Sequence, residues 1–206
     1  MENCTNKREE ILNISFEFFL TRGYEATTIR MICKKADVEP PTLYYYFGSK
    51  KKLFFAVVEQ ILKDYIDTKN ESKIANNIDS RISLMQIYVF SINYAIKHTS
   101  NIKFYFRYKL FIPSELVKDI ETFMVKTYDN KKQLYKSCIC KIRDEGLLIN
   151  NVEITCQMFE RLVDETTFSI IFSDWRPSDE EIYDRFNNFC KSIIKVRDDC
   201  SNKYGN

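Results

Sequence analysis

Hydrophobic side chains recur at helical spacing along most of the 206-residue chain. The first such segment, residues 5–22, places its large apolar residues on one face of a helix: Ile11, Leu12, Phe16, Phe19 and Leu20. The same period returns over residues 80–99, in Ile82, Met85, Val89, Ile92 and Ile96. The chain has four glycines and four prolines, far fewer turn residues than an all-β protein of this length needs. The pattern predicts an all-α protein.

The N-terminal quarter of the chain alternates long and short helices. Thr28 is a suitable N-cap for a short second helix, which breaks at residues 37–38. A third helix then starts with a proline, where that residue is tolerated, and ends at Gly48. Ser49 can cap a fourth helix that reaches about residue 68. We therefore predict a long helix, two short helices joined by a tight turn, and a second long helix.

The rest of the chain predicts longer helices after a polar segment. Residues 67–77 are polar and unpatterned, and we expect a loop there. Further helices are predicted for residues 80–99, 102–111, 114–146, 152–173 and 179–197. The prediction is about nine helices in two domains, a three-helix N-terminal domain and a larger helical one. Their bounds are residues 1–52 and 53–206, with the fourth helix, 50–68, connecting them.

Composition and charge indicate the class of protein only coarsely. The chain is 45% hydrophobic, yet no apolar run reaches the ~18 residues that a membrane span needs. The start, "MENCTNKREE", lacks the apolar region of a signal peptide, so we expect a cytoplasmic protein without a membrane partner. Net charge is +2, and residues 1–70 hold 11 basic and 10 acidic side chains. Any electrostatic attraction to nucleic acid must therefore be local, as at Lys50-Lys51-Lys52.

Side chains suited to catalysis are sparse. The seven cysteines are odd in number, which favours reduced thiols over a disulfide framework. Cys138 and Cys140 point in different directions on a helix, and no second pair lies at ligand spacing, so we expect no metal site. The single histidine excludes the paired Glu-x-x-His motifs of helical-bundle metalloenzymes. No phosphate loop or Gly-x-Ser-x-Gly elbow is present either, which predicts a protein that is not an enzyme and needs no cofactor.

The segment "PTLYYYFGSKKKLF", residues 41–54, indicates DNA binding. Two short helices joined by a tight turn form a helix-turn-helix, whose second helix enters the major groove. Tyrosine suits that position because its hydroxyl can donate to phosphate while its ring packs against sugar or a thymine methyl. The helix dipole disfavours lysines at a helix start by roughly 0.3–1 kcal/mol, and a neighbouring phosphate reverses that effect.

The same segment resembles the N-terminal signature of the TetR family of bacterial repressors. The similarity covers about residues 8–58 and includes the upstream "FFLTRGYEATT". In order, the matching groups are Thr27-Thr28-Ile29, Ile32, Ala36-Asp37-Val38, Thr42-Leu43-Tyr44-Tyr45-Tyr46-Phe47, Ser49-Lys50 and Leu53-Phe54. The resemblance implies an N-terminal helix-turn-helix domain and a larger helical domain for effector binding and dimerisation.

The resemblance also implies which side chains contact DNA. Phosphate contacts are expected from Thr28, Tyr44, Tyr45, Lys50 and Lys51. Base contacts are expected from the start of the third helix and its last tyrosine, namely Glu39, Pro41, Thr42 and Tyr46. Leu43 and Phe47 should instead pack in the three-helix core.

Three positions depart from the family pattern. Asp37 stands where the family usually has glycine, and aspartate tolerates the left-handed geometry of such a turn. Pro41 removes a backbone donor that could have met DNA. Lys52 replaces the acid that usually completes a capping box with Ser49. The operator sequence is therefore not transferable from relatives.

TetR-like proteins hold a small molecule among the middle helices of the larger domain, and pockets of that kind are mostly apolar with a few polar anchors. The aromatic segment "FYFRYKLF" and its neighbours supply such side chains, although core packing explains any single ring equally well. The predicted effector pocket comprises Phe90, Asn93, Tyr94, His98, Phe104, Arg107, Phe111, Phe123 and Tyr128.

The last two predicted helices carry apolar stripes at intervals of three and four residues. An internal core is the simpler explanation, but the family resemblance and the two-fold symmetry of operators favour a homodimeric four-helix bundle. The residues assigned to this interface are Val152, Cys156, Phe159, Val163, Ile182, Phe186, Phe189 and Ile193.

Together these features predict a ligand-responsive repressor that binds a palindromic double-stranded operator as a homodimer. An unknown small-molecule effector would release it from DNA. The alternative is a helical protein-interaction module that has lost DNA binding, which the balanced charge of residues 1–70 and the two adjacent prolines favour.

Overall fold

The computed structural model describes the backbone of residues 2–71, 79–173 and 175–195. Side chains are described at residues 7–69, 79–120, 122, 132–133, 135–173 and 175–195. Within these ranges the chain forms nine α-helices and one 3₁₀ turn and no strand, which confirms the all-α prediction. An isolated antiparallel bridge joins Leu148 to Ile194.

The helices follow one another with short connections. Their bounds are α1 Glu2–Thr21, α2 Ile29–Ala36, α3 Pro40–Phe47, α4 Lys50–Glu71, α5 Ser80–Lys97, α6 Thr99–Leu110, α7 Val117–Asp144, α8 Val152–Phe172 and α9 Asp179–Ile193. The 3₁₀ turn, Ser114–Leu116, precedes α7. Of the predicted polar loop, residues 67–71 are helical instead and 72–78 lie outside the described residues. No glycine or proline interrupts α4 before residue 71, so nothing in its sequence stops the helix earlier.

Several helix ends are fixed by the side chains that the sequence singled out. The Thr28 hydroxyl accepts a hydrogen bond from the Met31 amide at 3.2 Å. The Ser49 hydroxyl accepts one from the Lys52 amide at 3.1 Å. At α9 a complete capping box forms, because the Ser178 hydroxyl accepts from the Glu181 amide and the Glu181 carboxylate accepts from the Ser178 amide.

The chain folds into two compact units. The first comprises residues 1–72 and 97–124, and the second residues 73–96 and 125–206. The predicted domain boundary between residues 52 and 53 does not coincide with the limits of these units, and it stays a prediction.

The first unit has an aromatic core centred on Phe54. Its ring lies 5.4 Å from the rings of Phe19 and Tyr24, and 4.8 Å from that of Tyr108. Leu43 and Phe47 of α3 are buried against the same cluster, as predicted. Residues from α1, α2, α3, α4 and α6 therefore share one core, which holds the two short helices in place.

The second unit is built on α5, α8, α9 and the later part of α7. Its core contains Leu84, Ile92, Ile139, Phe159 and further apolar side chains at helical spacing. Hydroxyl groups also lie inside it, and the Tyr88 and Thr166 oxygens are 2.9 Å apart in a buried hydrogen bond. Because the two hydroxyls satisfy each other, their burial adds little penalty.

Candidate nucleic-acid interface

α2 and α3 form a helix-turn-helix. The turn depends on Asp37, which has φ 49° and ψ 55°, so aspartate adopts the left-handed geometry expected in place of glycine. The Val38 amide then donates to the Cys33 carbonyl at 3.1 Å and closes the turn. Ile32 and Leu43 are fully buried, which fixes one face of each helix and leaves the other in solvent.

The three tyrosines of α3 differ in exposure. Tyr44 is 48% exposed and Tyr45 is 83% exposed, so both phenols face solvent. Tyr46 is half-buried and packs against the core cluster, with its ring 5.4 Å from that of Tyr45. Both phenols are therefore accessible from solvent, and their role as phosphate ligands stays a prediction.

The start of α3 presents Glu39, Pro41 and Thr42. Glu39 is the exposed N-cap residue, but its side chain makes no capping hydrogen bond. Its carbonyl accepts from the Thr42 amide at 3.0 Å. Burial, and to a lesser degree the charge of Glu39, raises the pKa of the Cys33 thiol. Pro41 is exposed and Thr42 half-buried, so all three predicted base-contacting residues at this end are on the surface.

Thr28 combines two roles at the start of α2. Its hydroxyl caps the helix, and the residue is exposed. The first amides of a helix have no partner within it and carry a partial positive charge. A phosphate at this end would therefore meet both the unpaired amides and the threonine.

The lysines at the start of α4 have partners within the first unit. The Lys50 ammonium lies 4.2 Å from the centre of the Tyr24 ring and 3.5 Å from the Glu25 carbonyl oxygen. Burial lowers the pKa of Lys50, while the charges of Glu115 and Glu25 partly oppose that shift. Lys51 forms an ion pair with Asp119 at 2.5 Å, and Lys52 is exposed.

Sequence reasoning missed the residues that surround these lysines. The Tyr24 hydroxyl donates to the Glu115 carboxylate at 3.0 Å. Burial, that hydrogen bond and the charge of Glu115 raise the pKa of Tyr24 well above its usual value. Tyr24, Glu115 and Asp119 are up to 95 positions apart in sequence, and no local pattern indicates that the 3₁₀ turn and α7 approach the start of α4.

The predicted effector-pocket residues are divided between the two units. Phe90, Asn93 and Tyr94 belong to the second unit, where Asn93 is exposed and the two buried rings lie 6.2 Å apart. The other described members belong to the first unit, namely His98, Phe104, Arg107 and Phe111. The side chains of Phe123 and Tyr128 lie outside the described residues.

The members in the first unit have varied surroundings. Phe104 stacks on Phe16 at 5.6 Å in the aromatic core. Arg107 donates from Nη1 to the Leu20 carbonyl at 3.2 Å and packs beside Gly23. His98 is the half-buried N-cap residue of α6, and Phe111 is 75% exposed. Phe104 therefore belongs to the core of the first unit, and the effector pocket as a whole stays a prediction.

The residues predicted for the dimer interface lie in the core of the second unit. Seven of them are buried there: Cys156, Phe159, Val163, Ile182, Phe186, Phe189 and Ile193. Val152 is partly buried against the same cluster. Side chains that their own chain buries are not available to a partner. Any dimer contact of α8 and α9 must therefore use other faces of these helices, which expose Ile154, Phe168, Phe172 and Tyr183.

Two further structural findings concern membrane spans and metal sites. In the described part of the chain, no helix combines the length and apolarity needed to cross a membrane. Over the same residues, no three His, Cys, Asp or Glu side chains are grouped closely enough to hold a metal ion. The fold and the exposed face of α3 are those of a helix-turn-helix protein, the class to which many DNA-binding regulators belong.

Comparison with known proteins finds the same family in the N-terminal segment of the chain. Residues 11–57 match the family model described as bacterial regulatory proteins, tetR family. The resemblance to the TetR family is therefore confirmed for the DNA-binding segment, and the whole chain has the fold of TetR-family regulators. No curated protein sequence matches the chain significantly.

Solved structures with the same fold cover nearly the whole chain. A TetR-family regulator from Shewanella sp. PV-4 is 16% identical with a TM-score of 0.74, over 92% of this chain and 99% of that one. One from Marinobacter aquaeolei VT8 is 18% identical with a TM-score of 0.71, over 95% and 100%. A transcriptional regulator from Saccharomonospora viridis, in complex with choline, is 16% identical with a TM-score of 0.70, over 93% and 100%.

Proposed function

We propose that this protein is a homodimeric transcriptional repressor that acts in the cytoplasm, binds a palindromic DNA operator and is released by a small-molecule effector. The observation that carries the proposal is the pair of exposed phenols, Tyr44 and Tyr45, on the outer face of a helix-turn-helix. The N-terminus of α2 at Thr28 and the lysines at the start of α4 belong to the same compact unit.

Phosphate contacts would explain why Tyr45 is exposed and why two lysines lie at the start of α4. Tyr45 exposes most of its surface, and its hydroxyl can donate to a phosphate oxygen without disturbing the core. Lys50 and Lys51 lie at a helix start, where the dipole disfavours cations. Lys51 is held there by Asp119 in the structure, and a DNA phosphate offers a second anion for the same ammonium.

A homodimer matches the two-fold symmetry of a palindromic operator, since each protomer places one α3 in a major groove. The exposed apolar side chains of α8 and α9 support such an assembly. Phe168 and Phe172 lie four residues apart on α8 with their rings 4.6 Å apart, and Tyr183 is exposed on α9. We assign the interface to this face, because the opposite face of both helices is used by the core.

Release by an effector requires that the effector bind one conformation better than the other. The second unit contains buried aromatic and hydroxyl side chains, which are the types that line small-molecule sites. The Saccharomonospora viridis regulator, which shares the fold, was solved with choline bound. A panel of small molecules that includes choline, titrated against a preformed protein–DNA complex, tests this part of the proposal. Failure of every compound to change DNA affinity would argue against it.

The central experiment measures binding of the full-length protein to genomic DNA fragments at several salt concentrations. Counterion release predicts that log affinity falls linearly with log salt, with a slope of about −0.9 per phosphate contact. Lys51→Ala should make the slope shallower by about 1, whereas Lys63→Ala, an exposed lysine further along α4, should leave it unchanged. Absence of salt-dependent binding to any fragment would reject the proposal.

The alternative function is a protein-interaction module without DNA binding. Two observations favour this function: charge is nearly balanced in residues 1–70, and Lys51 is already paired with Asp119. The same salt titration separates the two functions, because only a DNA-binding protein shows the steep salt dependence.

A further inference from the structure

The base-reading end of α3 has an unusual set of hydrogen-bonding groups. The helix, "PPTLYYYF", contains no arginine, lysine, asparagine or glutamine. Arginine and lysine read guanine through its two acceptors, and asparagine and glutamine read adenine through an acceptor and a donor. α3 therefore lacks every side chain that makes the common two-point contacts to purines.

The first three backbone positions of α3 also offer no free donor to DNA. Pro40 and Pro41 have no N–H group. The next amide, that of Thr42, already donates to the Glu39 carbonyl at 3.0 Å. The side chains that reach the surface here are the Glu39 carboxylate, the Pro41 ring, the half-buried Thr42 and the Tyr44 and Tyr45 phenols. Pro41 and Tyr45 lie four residues apart on the same face.

The Glu39 carboxylate is available as an acceptor. It caps no amide of its own helix, and within the described residues it takes part in no hydrogen bond or ion pair. A carboxylate accepts hydrogen bonds only. Cytosine presents its N4 amino donor in the major groove beside an apolar ring edge, whereas adenine places the N7 acceptor next to its amino group and guanine presents two acceptors. Among the four bases, cytosine alone presents a donor with no acceptor beside it on its own major-groove edge. Cytosine is therefore the base that a carboxylate suits best.

Resting on the proposed function, we propose that α3 reads cytosine through Glu39 and thymine methyl groups through Pro41, and does not read guanine. Each half-site then holds a cytosine under the N-terminus of α3 and a thymine next to it. The negative charge of Glu39 opposes binding to any phosphate backbone. Glu39 therefore lowers affinity for unrelated DNA and raises discrimination at one base pair.

The test begins with selection of binding sites from a random duplex library by the full-length protein. The wild-type protein should enrich half-sites with a fixed cytosine, and changing that base pair should weaken binding about 10-fold. Glu39→Gln should move the preference at that position from cytosine to adenine, because glutamine can pair with N6 and N7. The same variant should bind random-sequence DNA about 2- to 5-fold more tightly, because a negative charge near phosphate is removed.

Control experiments distinguish a change in base recognition from a change in the stability of the fold. Glu9→Gln makes the same charge change at an exposed position of α1 and should keep the cytosine preference. Because the Glu39 side chain makes no capping hydrogen bond, Glu39→Gln should lower the thermal unfolding temperature only slightly, through the lost interaction of its charge with the helix dipole. Replacing the adjacent thymine with uracil removes only the methyl group, and it should weaken the wild-type protein but have no effect on a Pro41→Gly variant.

Half-sites without a fixed G·C pair, or a G·C preference that survives Glu39→Gln, would overturn the inference while leaving the proposed function intact. Salt-dependent binding without any base preference would have the same consequence. Failure to bind the library at any salt concentration would remove both the inference and the proposed function.

Discussion

At the scale of single residues, exposure separates the tyrosines that fold the domain from those that face outward. Tyr24 and Tyr108 are buried, and each donates its hydroxyl within the first unit, to Glu115 and to the Phe19 carbonyl respectively. Tyr45 is exposed, and its ring contacts only that of its neighbour Tyr46 among the described aromatic pairs. The sequence analysis expected Tyr46 to contact bases, whereas the helical period turns it partly toward the core.

The Tyr45→Phe variant tests directly whether the exposed hydroxyl contacts a DNA phosphate. Tyr45→Phe should weaken DNA binding by about 5- to 10-fold on every operator variant, because a hydrogen bond to a charged phosphate is lost. Stability should stay unchanged, since the hydroxyl contributes to no described interior contact. Fluorescence anisotropy with several duplexes measures the effect. Tyr105→Phe, which removes from α6 a hydroxyl that accepts a hydrogen bond from Lys109, is the matched control and should bind normally. A loss confined to one sequence would instead assign Tyr45 to base reading.

At the scale of helices, the sequence predicted the elements well where capping residues and glycines mark their ends. α2 and α3 lie where Thr28, Asp37 and Gly48 indicated, because these residues satisfy local geometric requirements. The sequence could not predict which helix faces meet. Phe104 belongs to the core around Phe54, although its surroundings in sequence suggested a ligand pocket, since apolar periodicity does not distinguish a core from a cavity lining.

The ion pair between α4 and α7 has a consequence for DNA binding. The Asp119 carboxylate is paired with the Lys51 ammonium and adds a negative charge to the first unit. Asp119→Asn should therefore raise DNA affinity by about 2- to 5-fold, in line with the ~0.2–1 kcal/mol of an exposed pair. The slope of log affinity against log salt should stay close to the wild-type value, because Lys51 contacts phosphate in both proteins.

A matched variant separates this local effect from a change in net charge. Asp144→Asn, at the other end of α7, breaks the exposed ion pair with Arg143 and should leave DNA affinity unchanged. Equal gains from both variants would show that overall charge, and not the partner of Lys51, sets the affinity. A decrease with Asp119→Asn would mean that the pair positions Lys51 for DNA rather than competing with it.

At the scale of the whole molecule, the most regular apolar stripes of α8 and α9 are internal. The densest periodic positions face the chain's own core, because one chain must bury them in order to fold. The exposed residues on the same helices are sparser, which is why the sequence pattern did not reveal them. A dimer built on Phe168 and Phe172 would bury side chains that a monomer leaves 40% and 49% exposed.

The dimer predicts a link between this face and operator binding. The double variant Phe168→Glu and Phe172→Glu should yield monomers in sedimentation experiments, since burying unpaired carboxylates at an interface is unfavourable. A palindromic duplex should then bind no more tightly than a single half-site, because two protomers no longer bind as one unit. Phe111→Glu places the same charge on an exposed phenylalanine of the first unit and should leave the dimer intact. A double variant that remains dimeric would place the two-fold axis on another surface of the chain.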